Sequence, residues 1–273
     1  QFKGYVQYLS KRSQKELNSE LENRKKDDIL LLRAQRGSLV GRIGLRKDIA
    51  LTLKEESRLV SLIGTAGVGK TRLALEVIYD LQEFQTETYF CNLTEANSEL
   101  GVALSVAKAM NIKLRNVDPI GQLGEIFTKN LTILVLDNLE QVVENVGKVI
   151  TRWMEQSKSL RIIATSRIKL RLPQEHSFPI RPLSLLEGIE LFTKRGQQAH
   201  GQFSLNEETR NTVGRLVQQL DNLPLAIELA AARLNIFSVE EVETRLKERF
   251  SLLRSRTKGT QALQGALDWS WDL

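Results

Sequence analysis

Residues 59–71, LVSLIGTAGVGKT, constrain this chain more than any other stretch. Five mostly apolar, partly β-branched residues, Leu59 to Ile63, have the character of a buried strand. A glycine-rich turn follows, then Lys70, Thr71 and the helix-like run RLALEVIYDL. Gly64, Gly69, Lys70 and Thr71 fit the pattern G-x-x-x-x-G-K-[ST] of a phosphate-binding loop. Glycines let the backbone wrap a triphosphate with its N–H groups turned inward. The helix that follows adds the positive end of its dipole. Lys70 has the reach for β- and γ-phosphates, and the Thr71 hydroxyl suits magnesium. The plain alternative is an ordinary strand-to-helix turn, but strand and helix both stand where the loop needs them.

Around this loop the chain alternates strand and helix patterns. A short amphipathic helix pattern, IGLRKDIALTL, follows LVGR (39–42). TYFCNL (88–93) reads as a strand, and 100–110 and 120–129 as helices. TILVLDN (132–138) is a buried strand that ends in an acid. A helix pattern with Val142, Val143, Val146 and Ile150 leads to the strand RIIATSR (161–167) and a last strand, HSFPI (176–180). This alternation predicts an α/β fold, a parallel sheet covered by helices on both faces. Ligands of such sheets bind beyond the carboxyl ends of the strands, where Gly64, Asp137 and Arg167 lie. From Leu183 onward only helix patterns appear. Ser184 with Glu187 and Ser238 with Glu241 form capping boxes. Asp221-Asn222 stops one helix, and Pro224 starts the next where a missing N–H costs nothing. Residues 13–33 also read as a helix, capped by Ser13 and Glu16.

Composition narrows the chemistry. Among 273 residues there is one cysteine, Cys91, and two histidines, His176 and His200. That argues against a disulfide framework, a histidine metal centre and a Ser-His-Asp triad. The single cysteine and the absence of a signal-peptide pattern suggest a cytoplasmic protein. No apolar run approaches the length of about 20 residues that spans a bilayer, so no membrane is expected as a partner. The net charge of +6 is mild, with its excess in residues 1–36 and 245–258. A solvated face explains these clusters better than a nucleic-acid surface, so nucleic acid is possible but not indicated. The first residue is Gln, which suggests a piece of a longer chain.

A phosphate loop needs a carboxylate to anchor magnesium, and Asp137 at a strand end supplies one. Taken in order, LVGR (39–42), GTAGVGKT (64–71), LVLDNLEQV (134–142), ATSR (164–167), NLPLAIELAAARL (222–234) and LDWSWDL (267–273) resemble the signal-transducing nucleotide-switch ATPases of the STAND class. They are most like bacterial regulators related to the NB-ARC module of apoptotic and plant-resistance proteins. The resemblance covers about residues 37–273. It implies a five-stranded nucleotide-binding domain over 37–182, a helical domain over 183–258 and the start of a winged helix at 259–273. Residues 1–36 would be a helical linker or the tail of a preceding domain.

The resemblance also implies roles. Val40 and Arg42 would lie near adenine and ribose. Gly64, Ala66, Gly67, Val68, Gly69, Lys70, Thr71 and Arg72 would bind ATP or ADP, with Thr71 and Asp137 on Mg2+. Lys70, Asp137 and Arg167 would be the catalytic set, Arg167 sensing the γ-phosphate, and Pro224 would pack on the base. The implied activity is slow ATP hydrolysis that works a switch. Self-association in the ATP state would follow, with sensor and effector domains elsewhere in the protein. The alternatives are a fast AAA-like motor and a DNA-binding regulator with incidental nucleotide.

Three departures from the pattern bear on this. Ile43-Gly44 replace acids after Gly-Arg, and Asn222 replaces a glycine before Leu-Pro. Asn138 follows Asp137 where many relatives carry a second acid, and an amide cannot serve as a general base.

Overall fold

A computed structural model describes residues 39–81 and 87–254 of the chain. The readings of 1–36 as a helix and of 259–273 as the start of a winged helix lie outside them. The chain divides into two compact units.

The first unit contains Ile43–Ile63 and Thr71–Phe178. It is built on strands β1 (Leu59–Ile63), β2 (Glu87–Asn92), β3 (Thr132–Asp137), β4 (Leu160–Ser166) and β5 (Glu175–Pro179). They form one parallel sheet in the order β2-β3-β4-β1-β5. All six residues of β3 are buried, as expected of a central strand covered on both faces. The helices are α1 (Ile43–Leu51), α2 (Lys70–Leu81), α3 (Glu99–Ala109), α4 (Pro119–Phe127) and α5 (Val143–Gln156). Local chemistry sets their starts. Ser98 caps α3 through Gly101 N, and Asp118 caps α4 ahead of Pro119. Phe127 and Trp153 meet edge to face at 5.5 Å, and the Trp153 indole donates to Ile120 O at 2.9 Å.

The helix pattern IGLRKDIALTL (43–53) runs two residues past the end of α1 at Leu51. After α1 the backbone widens into a π-turn over Thr52–Glu56, closed by Ser57 N donating to Thr52 O at 2.8 Å.

Among the described residues the second unit contains Val40–Arg42, Gly64–Lys70 and the chain from Pro179 to Arg254. Its helices are α6 (Leu185–Ala199), α7 (Glu207–Gln219), α8 (Pro224–Ala231) and α9 (Val239–Arg254). Phe192, Leu216, Ile227 and Leu246 are fully buried in its core. The expected capping boxes form at Ser184/Glu187 and Ser238/Glu241. Asp221 and Asn222 end α7 in left-handed conformations, φ 53° and 55°, which their short polar side chains tolerate. Asn222 thereby makes the left-handed turn that a glycine would make. No helix among the described residues is long and apolar enough to cross a membrane.

Candidate nucleotide-binding site

In the sheet unit the chemistry gathers on Asp137, which is 3% exposed. Thr71 Oγ1 donates to Asp137 Oδ1 at 2.7 Å, and Thr165 Oγ1 donates to the same oxygen at 2.6 Å. Asn138 Nδ2 donates to Oδ2 at 3.3 Å. Sheet register produces this convergence: Asp137 stands opposite Asn92 on β2, and Leu136 opposite Ala164 places Thr165 alongside it on β4. The cluster is a buried carboxylate and two hydroxyls. These hard oxygen donors fit magnesium, which takes one or two protein ligands and fills its octahedron with phosphate oxygens and water. Among the described residues no group of three or more His, Cys, Asp or Glu forms a site that would hold a metal by protein ligands alone.

Asn138 is in the left-handed region, φ 64°, which brings its amide back over the strand ends. There Nδ2 also contacts Thr94 Oγ1 at 3.2 Å and Asn92 Oδ1 at 3.4 Å. Arg167, one residue past β4, is 58% exposed and gives its Nε to Glu140 Oε1 at 3.1 Å. Arg72 is largely buried and lies 3.8 Å from Glu76, one helical turn on.

In the helical unit the phosphate loop is shaped by its glycines. Gly67 and Gly69 have φ 73° and 93°, in the left-handed region that favours glycine. A Cβ on Gly64 would stand 2.7 Å from Ile180 O. Lys70 is 8% exposed, and its Nζ donates to Gly64 O at 2.9 Å and Thr65 O at 3.0 Å. The ammonium therefore sits within the curl of the loop. Val68 is fully buried and anchors the loop, whereas Ala66 is half-buried. No acid stands in the first turn of α2 to offset its dipole.

The same unit brings Arg42 and Pro224 to the loop. A Cβ on Gly69 would meet Arg42 Nη1 at 3.1 Å and Pro224 Cγ at 3.9 Å. Leu225 N, in the first turn of α8, donates to Gly67 O at 3.2 Å. Arg42 takes a left-handed φ of 61° directly after Gly41 at 68°, so LVGR is a tight turn into α1. Its N–H donates to Glu187 Oε1 at 3.3 Å, and Nη2 donates to Arg181 O at 2.8 Å. Burial lowers the Arg42 guanidinium below its ordinary pKa, and the charge of Glu187 opposes that shift. For Glu187 burial alone would raise the carboxyl. Hydrogen bonds from Ser184 and Arg42, with the Arg42 charge, outweigh it and hold the group below its usual value. The Val40 side chain, 4% exposed, packs into the helical core rather than into an open pocket.

Arg42, Gly67, Gly69, Lys70 and Pro224 are thus neighbours in one unit, and Thr71, Asp137 and Asn138 in the other. Three participants are not among the residues singled out from the sequence. Thr165 carries a hydroxyl that only strand register aims at Asp137. Glu187 is visible as a cap, but its second oxygen is spare until the fold brings Arg42. The Leu225 amide carries no residue-type signal at all.

No protein-family model matches the chain. It is 32% identical over 240 residues to an uncharacterised protein of Mycobacterium tuberculosis, covering 85% of this chain and 61% of that protein. It is 30% identical over 224 residues to a protein of the same organism provisionally named an HTH-type transcriptional regulator, covering 80% of this chain and 25% of the relative. The chain therefore spans about three fifths of the first relative and a quarter of the second. Among solved structures, a Walker-type ATPase of Pyrococcus abyssi matches with a TM-score of 0.55 at 14% identity, over 80% of this chain and 74% of that one. The chain has the fold of a P-loop ATPase.

Proposed function

We propose that this chain is the adenine-nucleotide module of a cytoplasmic signalling regulator, a switch of the STAND type that hydrolyses ATP slowly. The observation that carries the reading is the buried carboxylate of Asp137, which takes the hydroxyl of Thr71, the residue after the loop lysine. That pairing is what a magnesium–phosphate site requires of its protein ligands. Magnesium would supply charge neutralisation at the phosphates, held by Thr71 and Asp137. Lys70 and the loop backbone would receive the phosphates, and Arg42 and Pro224 would flank the base and ribose.

Asn138 supports slow turnover. Its amide is bound to Asp137, Thr94 and Asn92, and it has no proton-accepting basicity. Turnover should fall well below the typical enzyme value of about 10 per second. ATP and ADP then matter by favouring different states, and they can do so only through contacts that differ between them. The HTH-type name of one relative favours a transcriptional regulator as the full-length context. Self-association with ATP, and sensor and effector domains, belong to that larger protein.

Thermal denaturation with magnesium and either nucleotide tests the proposal. At a hundred times the dissociation constant the stabilisation should be about 2.7 kcal/mol. Lys70→Ala should remove most of it. A wild-type midpoint unmoved by millimolar ATP and ADP overturns the reading.

A further inference from the structure

We infer that Glu140 is a positioning residue that sets Arg167 for the γ-phosphate, an inference that rests on the nucleotide reading above. Glu140 lies in a short 3-10 turn, Leu139–Gln141, just after the Asp137 strand end. Its Oε1 accepts from Arg167 Nε at 3.1 Å across 27 residues of sequence. No other hydrogen bond from the Arg167 guanidinium is made among the described residues, so both terminal nitrogens are left to face an anion. An arginine held through Nε keeps its two-nitrogen fork for a phosphate and loses less freedom when it binds.

Glu140 follows the end of β3 at Asp137 by three residues, and Arg167 follows the end of β4 at Ser166 by one. They therefore sit at the carboxyl ends of the strands, where ligands of such sheets bind. The second oxygen of Glu140 has no solvent access and no hydrogen-bond partner among the described residues. One oxygen is committed to arginine and the other is closed off, so Glu140 is not set to take a proton from an attacking water. The sequence leaves open whether Glu140 substitutes for the acid missing at position 138; this geometry gives it a different task.

The test measures binding of ADP and of a non-hydrolysable ATP analogue, and steady-state hydrolysis, for wild type, Glu140→Ala, Glu140→Gln, Arg167→Ala and the double alanine variant. Glu140→Ala should lower the preference for the ATP analogue over ADP by about two- to fivefold, the range of a part-exposed ion pair. The double variant should match Arg167→Ala, because Glu140 acts through Arg167. Glu140→Gln, whose amide oxygen still accepts from Nε, should recover most of the loss and lower kcat by less than tenfold. A fall of about a hundredfold or more in kcat for Glu140→Gln with unchanged binding would mark a general base and overturn the inference. So would Glu140→Ala binding both nucleotides as wild type does. Wild type that binds neither nucleotide overturns the nucleotide reading, and this inference with it.

Discussion

The cluster on Asp137 and the cluster on Gly69 are built by opposite means. Asp137 is held by side chains. Thr71, Thr165 and Asn138 each stand at a strand end or a helix start, and sheet register fixes where their polar atoms fall. Gly69 and its neighbours are shaped chiefly by backbone, and the side chains of Lys70, Arg42 and Glu187 fasten to main-chain atoms there. Four positive φ angles, 68°, 61°, 73° and 93° at Gly41, Arg42, Gly67 and Gly69, set the curves. A backbone donor at Leu225 and a backbone acceptor at Arg181 fasten them. A side-chain site responds to the loss of single polar atoms. A backbone site has little to lose that way, but it cannot accept added volume.

The largest effect should therefore come from one methyl group in the backbone-built cluster. Gly64→Ala puts a Cβ 2.7 Å from the carbonyl oxygen of Ile180 and 3.0 Å from Val68 Cγ1. The first contact is with main chain, which cannot swing aside as a side chain would. Overpacking of this kind costs about 1–3 kcal/mol, and we expect the upper end, with loss of nucleotide binding. Urea denaturation and a nucleotide titration check it. A variant with wild-type midpoint and affinity would break the comparison.

Thr165→Val is the matching deletion in the side-chain cluster. It keeps the shape and removes the hydroxyl that donates to Asp137 and accepts from Asn138 N at 3.1 Å. Asp137 retains Thr71, so the cost should be about 1–2 kcal/mol, with a weakened dependence of nucleotide binding on magnesium. If this variant is the more destabilised of the two, side-chain hydrogen bonding outweighs backbone shape, and the contrast between the clusters reverses.

The same contrast governs what could be read from sequence. Strand β3 is legible because a central parallel strand must be a continuous apolar run, and TILVLD is one. The end of α7 is legible because Asp221-Asn222 is a local signal, and both residues are left-handed. The π-turn at Thr52–Glu56 is not, because nothing in TLKEE distinguishes it from more α-helix. In the candidate site, the loop and Asp137 are announced by residue type and spacing. Their fastenings are not: Glu187 reaches Arg42 across 145 residues and Thr165 reaches Asp137 across 28. Each is an ordinary residue made specific by register or by a turn elsewhere. Arg167 was legible as a charged strand-end residue, but not its partner Glu140.

The smallest expected effect asks whether side-chain electrostatics count in the helical unit as well, where the site itself relies on backbone. Glu243 on α9 is the group to test. Arg215 on α7 donates to it through Nε at 2.8 Å and Nη2 at 3.1 Å, and Lys247 adds a contact at 2.8 Å. The Arg215 hydrogen bonds, chiefly, pull the Glu243 carboxyl down to about 2 despite the opposing effect of its burial. An unfolded glutamate titrates near 4.3. The folded pKa is the lower one, so the ionised carboxylate stabilises the fold, in full above about pH 5. That contribution is lost as pH falls through the unfolded value toward about 2. Arg215 is half exposed, so solvent screens the pair, and its worth should be on the order of 1 kcal/mol. Glu243→Gln should thus cost about that much at pH 7, and the gap to wild type should narrow as denaturation is repeated down to pH 3. A gap that stays constant with pH would mean that packing of the Glu243 side chain, rather than its charge, joins α9 to α7.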